Sequence, residues 1–340
     1  MLLSAEPILL ALRQPPAAMP DAVAFCHIGA AGVVPFALFA VLRQLLQGDG
    51  QMRPAMWVVG LANLVNLAGD WLLVRHVGLG VAGVAWCTVV VRWVMLVALL
   101  ALSAPIVRRA RPTGPVRDLR QLFAVVAVSV PVALQLGLEV WAFEFCSFVA
   151  GALGDTEAAA HTAALSAASV GFMVPLGVSA AAATRVGNQV GRREDWRRSG
   201  ATSVAVGAAA MTLSAVLFLV FPEEIGRLYN PDPGVIALVA AILPLAAAFG
   251  WFDGTQVVAF GVLRGLGDTR VPMLFNLVGY WLVGLPVGAW LAFEADYGLV
   301  GVWMGLTLGL GVVAVLLVAR LIGHARSPAL PSATPDVRSP

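Results

Sequence analysis

Nine apolar runs, each long enough to cross a lipid bilayer, recur between residues 25 and 322 with only short polar breaks between them. The hydrocarbon layer of a membrane takes about 20 consecutive apolar residues in helical form. Inside it, every backbone N–H and C=O must find a partner within the protein, so such runs fold as helices. The short alternating segments of a membrane β-barrel are absent. The predicted spans are 25–47, 53–75, 80–104, 120–151, 158–184, 199–221, 234–263, 271–293 and 298–322. Composition agrees, with 60% hydrophobic residues, 12% charged residues and a mean hydropathy of +0.88. Soluble domains carry about 25% charged residues. The expected fold class is an all-α polytopic membrane protein of about nine transmembrane helices.

Charge sorts the connections into two sets. Arg43 and Arg53 flank the first connection, and Arg108, Arg109, Arg111, Arg117 and Arg120 fill the third. Arg185, Arg192, Arg193, Arg197 and Arg198 fill the fifth, Arg264 and Arg270 mark the seventh, and Arg320 and Arg326 follow the last span. The alternate connections are acidic, holding Asp155, Glu157, Glu223, Glu224, Asp232, Glu294 and Asp296, with only Arg75 and Arg227 as basic residues. Every second loop is therefore Arg-rich, and the positive-inside rule places those loops, with the C-terminus, in the cytoplasm. There is no lysine, and the 21 basic residues sit in short interhelical clusters, which argues against a nucleic-acid surface. Cys26, Cys87 and Cys146 lie inside apolar runs without C-x-x-C spacing, so neither a disulfide framework nor a zinc site is expected.

This orientation predicts residues 1–24 as an outer N-terminal segment. It lacks the basic n-region of a signal peptide, and an odd number of upstream helices would restore a cytoplasmic start. Residues 25–104 form a first group of three spans, 105–119 a Pro- and Arg-rich linker, 120–322 a group of six spans, and 323–340 a disordered cytoplasmic tail. An internal repeat is also visible. At one constant offset, Pro54, Gly80, Gly83 and Val84 align with Pro272, Gly298, Gly301 and Val302. Both copies run the same way through the membrane, as in transporters built from parallel repeats.

Ionisable groups in mid-membrane are costly and mark functional sites by default. Here they are Asp70, Arg92, Glu139, Glu144, His161 and Asp253. Glu139 and Glu144, five residues apart on one predicted helix, point about 140° away from each other. Gln135 shares the face of Glu139. Gln256 and Phe249 share the face of Asp253, and Gly250 and Gly254 leave room there for a close approach by backbone or ligand. Asn63, Asn66 and Asp70 form a polar stripe on the second span. A carboxylate with amides beside it suits a Na⁺ site or a proton carrier. Arg92 is expected to pair with a carboxylate, and His161 to play a helix-end role. GLGVAG at 78–83 fits a dinucleotide-binding pattern, but it lies between membrane helices and is a chance match. There is no Walker A motif, no H-E-x-x-H and no catalytic grouping, so no enzymatic activity is expected.

Three longer segments carry a family resemblance. VPLGVSAAAATRVGNQVG (174–191), GVLRGLGDTRVP (261–272) and YWLVGLPVG (280–288) resemble signatures of the multidrug and toxic compound extrusion (MATE) transporters, NorM-like branch, and LEVWAFEFCSFVAGALG (138–154) is similar to the helix that opens their C-terminal lobe. The resemblance implies two six-helix lobes around a cleft, exchanging a drug for Na⁺ or H⁺. Residues 25–104 then look like spans four to six and residues 120–322 like spans seven to twelve. The first two family spans and most of the third have no counterpart here, and residues 1–12 resemble the tail of the third. Glu139, Glu144 and Asp253 match acidic positions of the C-terminal lobe. Asn66 and Thr88 match polar positions of an N-terminal cation site, with Asp70 beside them. Possible Na⁺ ligands are Glu139, Asp253, Asn66 and Asp70, and no other cofactor is implied.

The function so implied is a secondary antiporter of the plasma membrane that exports small, often cationic amphipathic drugs or toxins. Its partners would be those xenobiotics and the lipid bilayer, with no nucleic acid. A flippase for lipid-linked precursors is an alternative of related architecture, but it would line its cavity with several arginines, and only Arg92 lies deep. A non-transporting truncated remnant is the other alternative.

Overall fold

Lipid-compatible composition turns into helix wherever the backbone is free to close its own hydrogen bonds. The computed structural model describes Glu6, residues 19–109 and residues 119–326, without the side chains of residues 106–109, 119–121 and 124. Among the described residues there is no strand. Eight helices are long and apolar enough to cross a membrane, and a bent helix pair brings the number to nine. The chain divides into two compact units, Met1–Val116 and Arg117–Pro340.

The first unit contains α1 (Met19–Ala30), α2 (Val33–Gly48), α3 (Arg53–Arg75) and α4 (Gly80–Arg109). The expectation of one straight span over 25–47 is corrected in two ways. The helix begins at Met19, inside the predicted outer segment, and it bends by 50° between α1 and α2. Pro35 supplies the physical reason: it has no N–H to offer the Ala31 carbonyl one turn earlier, and its ring crowds that carbonyl. Gly32 at the break lets Arg92 of α4 come close, since a Cβ there would meet the Arg92 side chain at 3.0 Å. The expected carboxylate partner of Arg92 is also corrected. No ion pair to Arg92 exists among the described residues, and its guanidinium lies 5.1 Å from the centre of the Phe36 ring. Helices α1, α2 and α3 all pack on α4.

The second unit contains α5 (Leu119–Leu153), α6 (Asp155–Gly191), α7 (Arg197–Val220), the short amphipathic α8 (Pro222–Tyr229), α9 (Pro233–Gly265), α10 (Arg270–Asn276), a wide π-helical segment (Leu277–Gly284), α11 (Leu285–Phe293) and α12 (Gly298–Arg326). Helix α9 starts at Asp232, whose Oδ1 accepts from the N–H groups of Gly234 at 2.7 Å and Val235 at 3.3 Å. It packs against α6, α7 and α12, and its stretch from Asp253 to Leu263 is buried on every side. A helical stretch buried all round belongs at the centre of a bundle. Helix α12 lies on α11 and the π segment through small residues: a Cβ at Gly305 would land on the Gly288 backbone, and one at Gly309 on Gly279 O. Backbones at this distance gain dispersion along their length, the usual adhesive of helices in lipid.

Several predicted boundaries move. Residues 105–109 of the expected linker continue α4, Leu119 already opens α5, and residues 323–326 extend α12 rather than joining the tail. Residues 110–118 and 327–340 lie outside the described residues. Helix α6 runs to Gly191, seven residues past the predicted end, so Arg185 is helical.

The repeat has a structural counterpart inside each unit. Gly80 opens α4 with φ +54°, and Gly298 opens α12 with φ +53°. That left-handed conformation strains any residue with a Cβ. One turn on, Gly83 faces Leu73 of the preceding helix, and Gly301 faces Leu291 of its preceding helix.

Candidate cation and proton site

Glu139 and Asp253, far apart in sequence, meet inside the second unit. Helix α5 carries Glu139 and α9 carries Asp253 and, one turn further, Gln256. The Gln256 amide bridges the two acids, its Nε2 donating to Glu139 Oε1 at 3.4 Å and to Asp253 Oδ1 at 3.3 Å. Asp253 and Gln256 are buried, and Glu139 is half-buried. Gln256 Oε1 is itself buried without a partner.

The π-helical segment completes the site. Pro286 has no N–H for the Leu282 carbonyl, and the preceding turns widen. Tyr280 and Trp281 project from that wide stretch. Trp281 Nε1 donates to the carbonyl of Leu138, next to Glu139, at 3.1 Å. Tyr280 is fully buried, lies close enough to interact electrostatically with both carboxylates, and its hydroxyl has no protein partner. Its ring meets Phe143 edge-on at 5.9 Å, Phe143 meets Phe249 at 5.9 Å, and Phe249 meets Trp303 at 5.6 Å. This aromatic cluster walls the acids.

The remaining candidates fall in different places. Phe249 is buried in the aromatic wall. Glu144 is exposed on α5 and shares no hydrogen bond with the pair among the described residues. Gly250 and Gly254 do admit a close neighbour, and it is the Met211 side chain of α7. Gln135 is buried, with Oε1 unpartnered. His161 corrects its helix-end expectation: it is buried against Trp303, ring centres 5.8 Å apart, and neither ring nitrogen has a partner.

In the first unit, Asn66 Nδ2 approaches Cys87 Sγ at 3.5 Å, and that thiol approaches the Asn66 carbonyl at 3.6 Å. Asp70, one turn along α3, sits beside Cys87 with Oδ1 buried and unpartnered. Thr88 is half-buried on α4 and makes no side-chain hydrogen bond among the described residues. The stripe therefore keeps one free carboxylate oxygen but spends its amide on a cysteine.

Tyr280, Phe143 and Trp303 are site residues that spacing rules pass over. The signal available was Pro286, which removes a backbone donor shortly after Tyr280 and Trp281. No group of three or more His, Cys, Asp or Glu side chains converges among the described residues. The oxygens that do converge are the carboxylates of Glu139 and Asp253, with the Tyr280 hydroxyl near them. Carboxylate and hydroxyl oxygens are hard donors, of the kind that a monovalent cation such as Na⁺ takes.

A polytopic helical bundle with a bridged carboxylate pair inside it fits one class of protein, the secondary transporters. The MatE family model matches residues 1–72 and 131–290, and the chain belongs to that family. It is 36% identical over 342 residues to the multidrug resistance protein NorM of Burkholderia vietnamiensis, covering 93% of this chain and 71% of the relative. It is 37% identical over 337 residues to a probable multidrug resistance protein NorM of Brucella suis biovar 1 (strain 1330), covering 94% and 71%. Among solved structures, the eukaryotic MATE transporter AtDTX14 matches with a TM-score of 0.87 and 25% identity, covering 94% of this chain and 73% of that one. A MATE in the bent conformation matches with a TM-score of 0.82 and 19% identity, covering 95% and 74%.

Proposed function

We propose that this chain is a multidrug efflux antiporter that exports small, often cationic amphipathic organic compounds in exchange for Na⁺ or H⁺. The observation that carries the reading is the Glu139–Gln256–Asp253 bridge, two acids on two membrane helices sharing one amide. Family membership and relatives named as multidrug resistance proteins support the substrate class.

The chemistry follows from charge in a medium of low dielectric. Two carboxylates withdrawn from water are stabilised by a counter-cation, and a coupling ion and a cationic drug answer that need in competition. Na⁺ would be held by the Glu139 and Asp253 carboxylates, with Tyr280 Oη beside them; a proton would sit on either carboxylate. Occupancy by one ligand or the other biases the protein between outward- and inward-open states by the ligand's differential affinity for them. Asp70 and Asn66 are a second cation-binding candidate in the first unit. The Arg-rich loops orient the protein in a plasma membrane with its C-terminus cytoplasmic.

Dye efflux from cells or everted vesicles tests this. Glu139→Gln and Asp253→Asn remove one charge each and keep side-chain size. Efflux is expected to fall at least tenfold in each at equal expression. Undiminished efflux in both would overturn the role of the pair.

A further inference from the structure

The Arg-rich end of α6 and α7 carries a second constellation, unrelated to the carboxylate pair. A groove of about 590 Å³ opens between the two helices. Its upper part is polar, lined by Arg185, Gln189, Arg198, Ser199, Thr202 and Ser203. Its lower part is apolar, lined by Val178, Ala181, Ala182 and Val206. Two cations and several hydroxyls therefore sit directly above a slot of hydrocarbon.

The charges of the upper part are available. Arg185 Nε donates to Ser199 Oγ at 3.1 Å, a neutral partner that orients the guanidinium across the groove. No carboxylate lies within ion-pair distance of Arg185 or Arg198 among the described residues. The one acid on the rim, Asp195, is engaged by Arg197, through that residue's N–H at 3.1 Å and its guanidinium at 3.9 Å. The groove also meets the N-terminus of α7, a helix of 24 residues whose first N–H groups and dipole favour an anion. Finally, Gln189 Oε1 is buried and lacks a donor, so the groove asks for a hydroxyl or amine as well as for negative charge.

A phosphate alone would satisfy the arginines but leave the apolar slot and Gln189 unanswered. A fatty acid would fill the slot but bring no hydroxyl. An acidic glycerophospholipid with a hydroxyl-bearing head answers all three demands. Its phosphate takes the arginine pair, its head-group O–H reaches Gln189, and its chains run down past Val178 and Val206 along the direction of the surrounding lipid. We propose that the groove between α6 and α7 is a binding site for an anionic phospholipid of the phosphatidylglycerol type, drawn from the leaflet on the Arg-rich side.

The test uses the purified full-length protein, delipidated in a non-ionic detergent and titrated with palmitoyl-oleoyl-phosphatidylglycerol, palmitoyl-oleoyl-phosphatidylcholine or inorganic phosphate, with bound lipid read by native mass spectrometry. Phosphatidylglycerol is expected to bind one-to-one in preference to phosphatidylcholine, and millimolar phosphate should leave it in place. The double variant Arg185→Gln/Arg198→Gln should weaken binding roughly 10- to 30-fold, as expected for two arginines near an anionic head. Arg192→Gln/Arg193→Gln removes the same charge from the same loop outside the groove and should leave binding within twofold. Val206→Trp fills the apolar slot without touching charge and should also expel the lipid, which keeps the proposal testable if the arginine variant fails to fold. Equal binding of the two lipids, displacement by free phosphate, equal weakening by both arginine variants, or full binding in Val206→Trp would each overturn it.

Discussion

Replacing Gln256 with Leu separates two roles its amide can play. In the structure its Nε2 holds Glu139 Oε1 at 3.4 Å and Asp253 Oδ1 at 3.3 Å, both longer than the 2.7–2.9 Å of the strongest charge-assisted bonds. Each therefore falls at the low end for a bond to a charged group, about 1.5 kcal/mol, and the two together stabilise the cation-free state by about 3 kcal/mol. A bound cation satisfies the same oxygens by itself and does not need the amide. Losing the amide thus raises the energy of the empty site more than that of the filled one. The half-saturating concentration of the coupling cation is expected to drop by up to roughly 100-fold, with slower turnover because ion release becomes harder. The assay is cation-dependent drug efflux in proteoliposomes, with tryptophan fluorescence as an equilibrium readout. In a Glu139→Gln background one of the two bonds to an ionised acid is already gone, so the same substitution should shift affinity about half as far in free energy. A rise in the half-saturating concentration would refute the donor role and make Gln256 Oε1 a cation ligand instead. No change at all would mean the bridge does not form in the membrane.

Three further outcomes follow. Gly305→Val forces α12 away from the Gly288 backbone and should destabilise the second unit by about 1–3 kcal/mol, visible as earlier loss of the monodisperse peak on heating in detergent. Pro286→Ala restores an N–H for the Leu282 carbonyl, tightens the wide segment and swings Tyr280 and Trp281; efflux should fall while thermal stability holds or rises, and unchanged efflux would detach the π segment from function. Asp268 accepts from Arg320 Nε at 2.8 Å and lies 2.9 Å from His324 Nε2, at a partly exposed corner between the α9–α10 turn and the end of α12. Asp268→Asn should cost only about 1 kcal/mol by the same heating assay, and a collapse of folding would show the corner to be more than a surface ion pair.

The spans are legible in the residues because lipid leaves so little choice: a run of 20 apolar residues has one way to satisfy its backbone, and the arginine pattern orients it. Glu139 and Asp253 are legible for the same reason, as charges placed where charge is expensive. What the chain does not advertise is geometry that depends on missing donors. Pro35 and Pro286 were visible as letters, yet whether a proline in a membrane helix gives a bend, as at Pro35, or a widened turn, as before Pro286, is set by what packs beside it. Pairing was also hidden. Arg92 looked like half of an ion pair and rests on Phe36, and His161 looked like an end residue and lies under Trp303. Periodicity reports which face of a helix is polar and carries no record of which neighbour that face will meet.

The left-handed glycines that open α4 and α12 bear on descent. Gly80 and Gly298 share the same positive φ within one degree, followed three residues later by a glycine pressed on the helix before it. Mutation can replace almost any lipid-facing residue with another apolar one, so the two copies are free to drift in nearly every letter. A turn that only glycine enters without strain has no synonym, and it stays behind as a watermark of duplication.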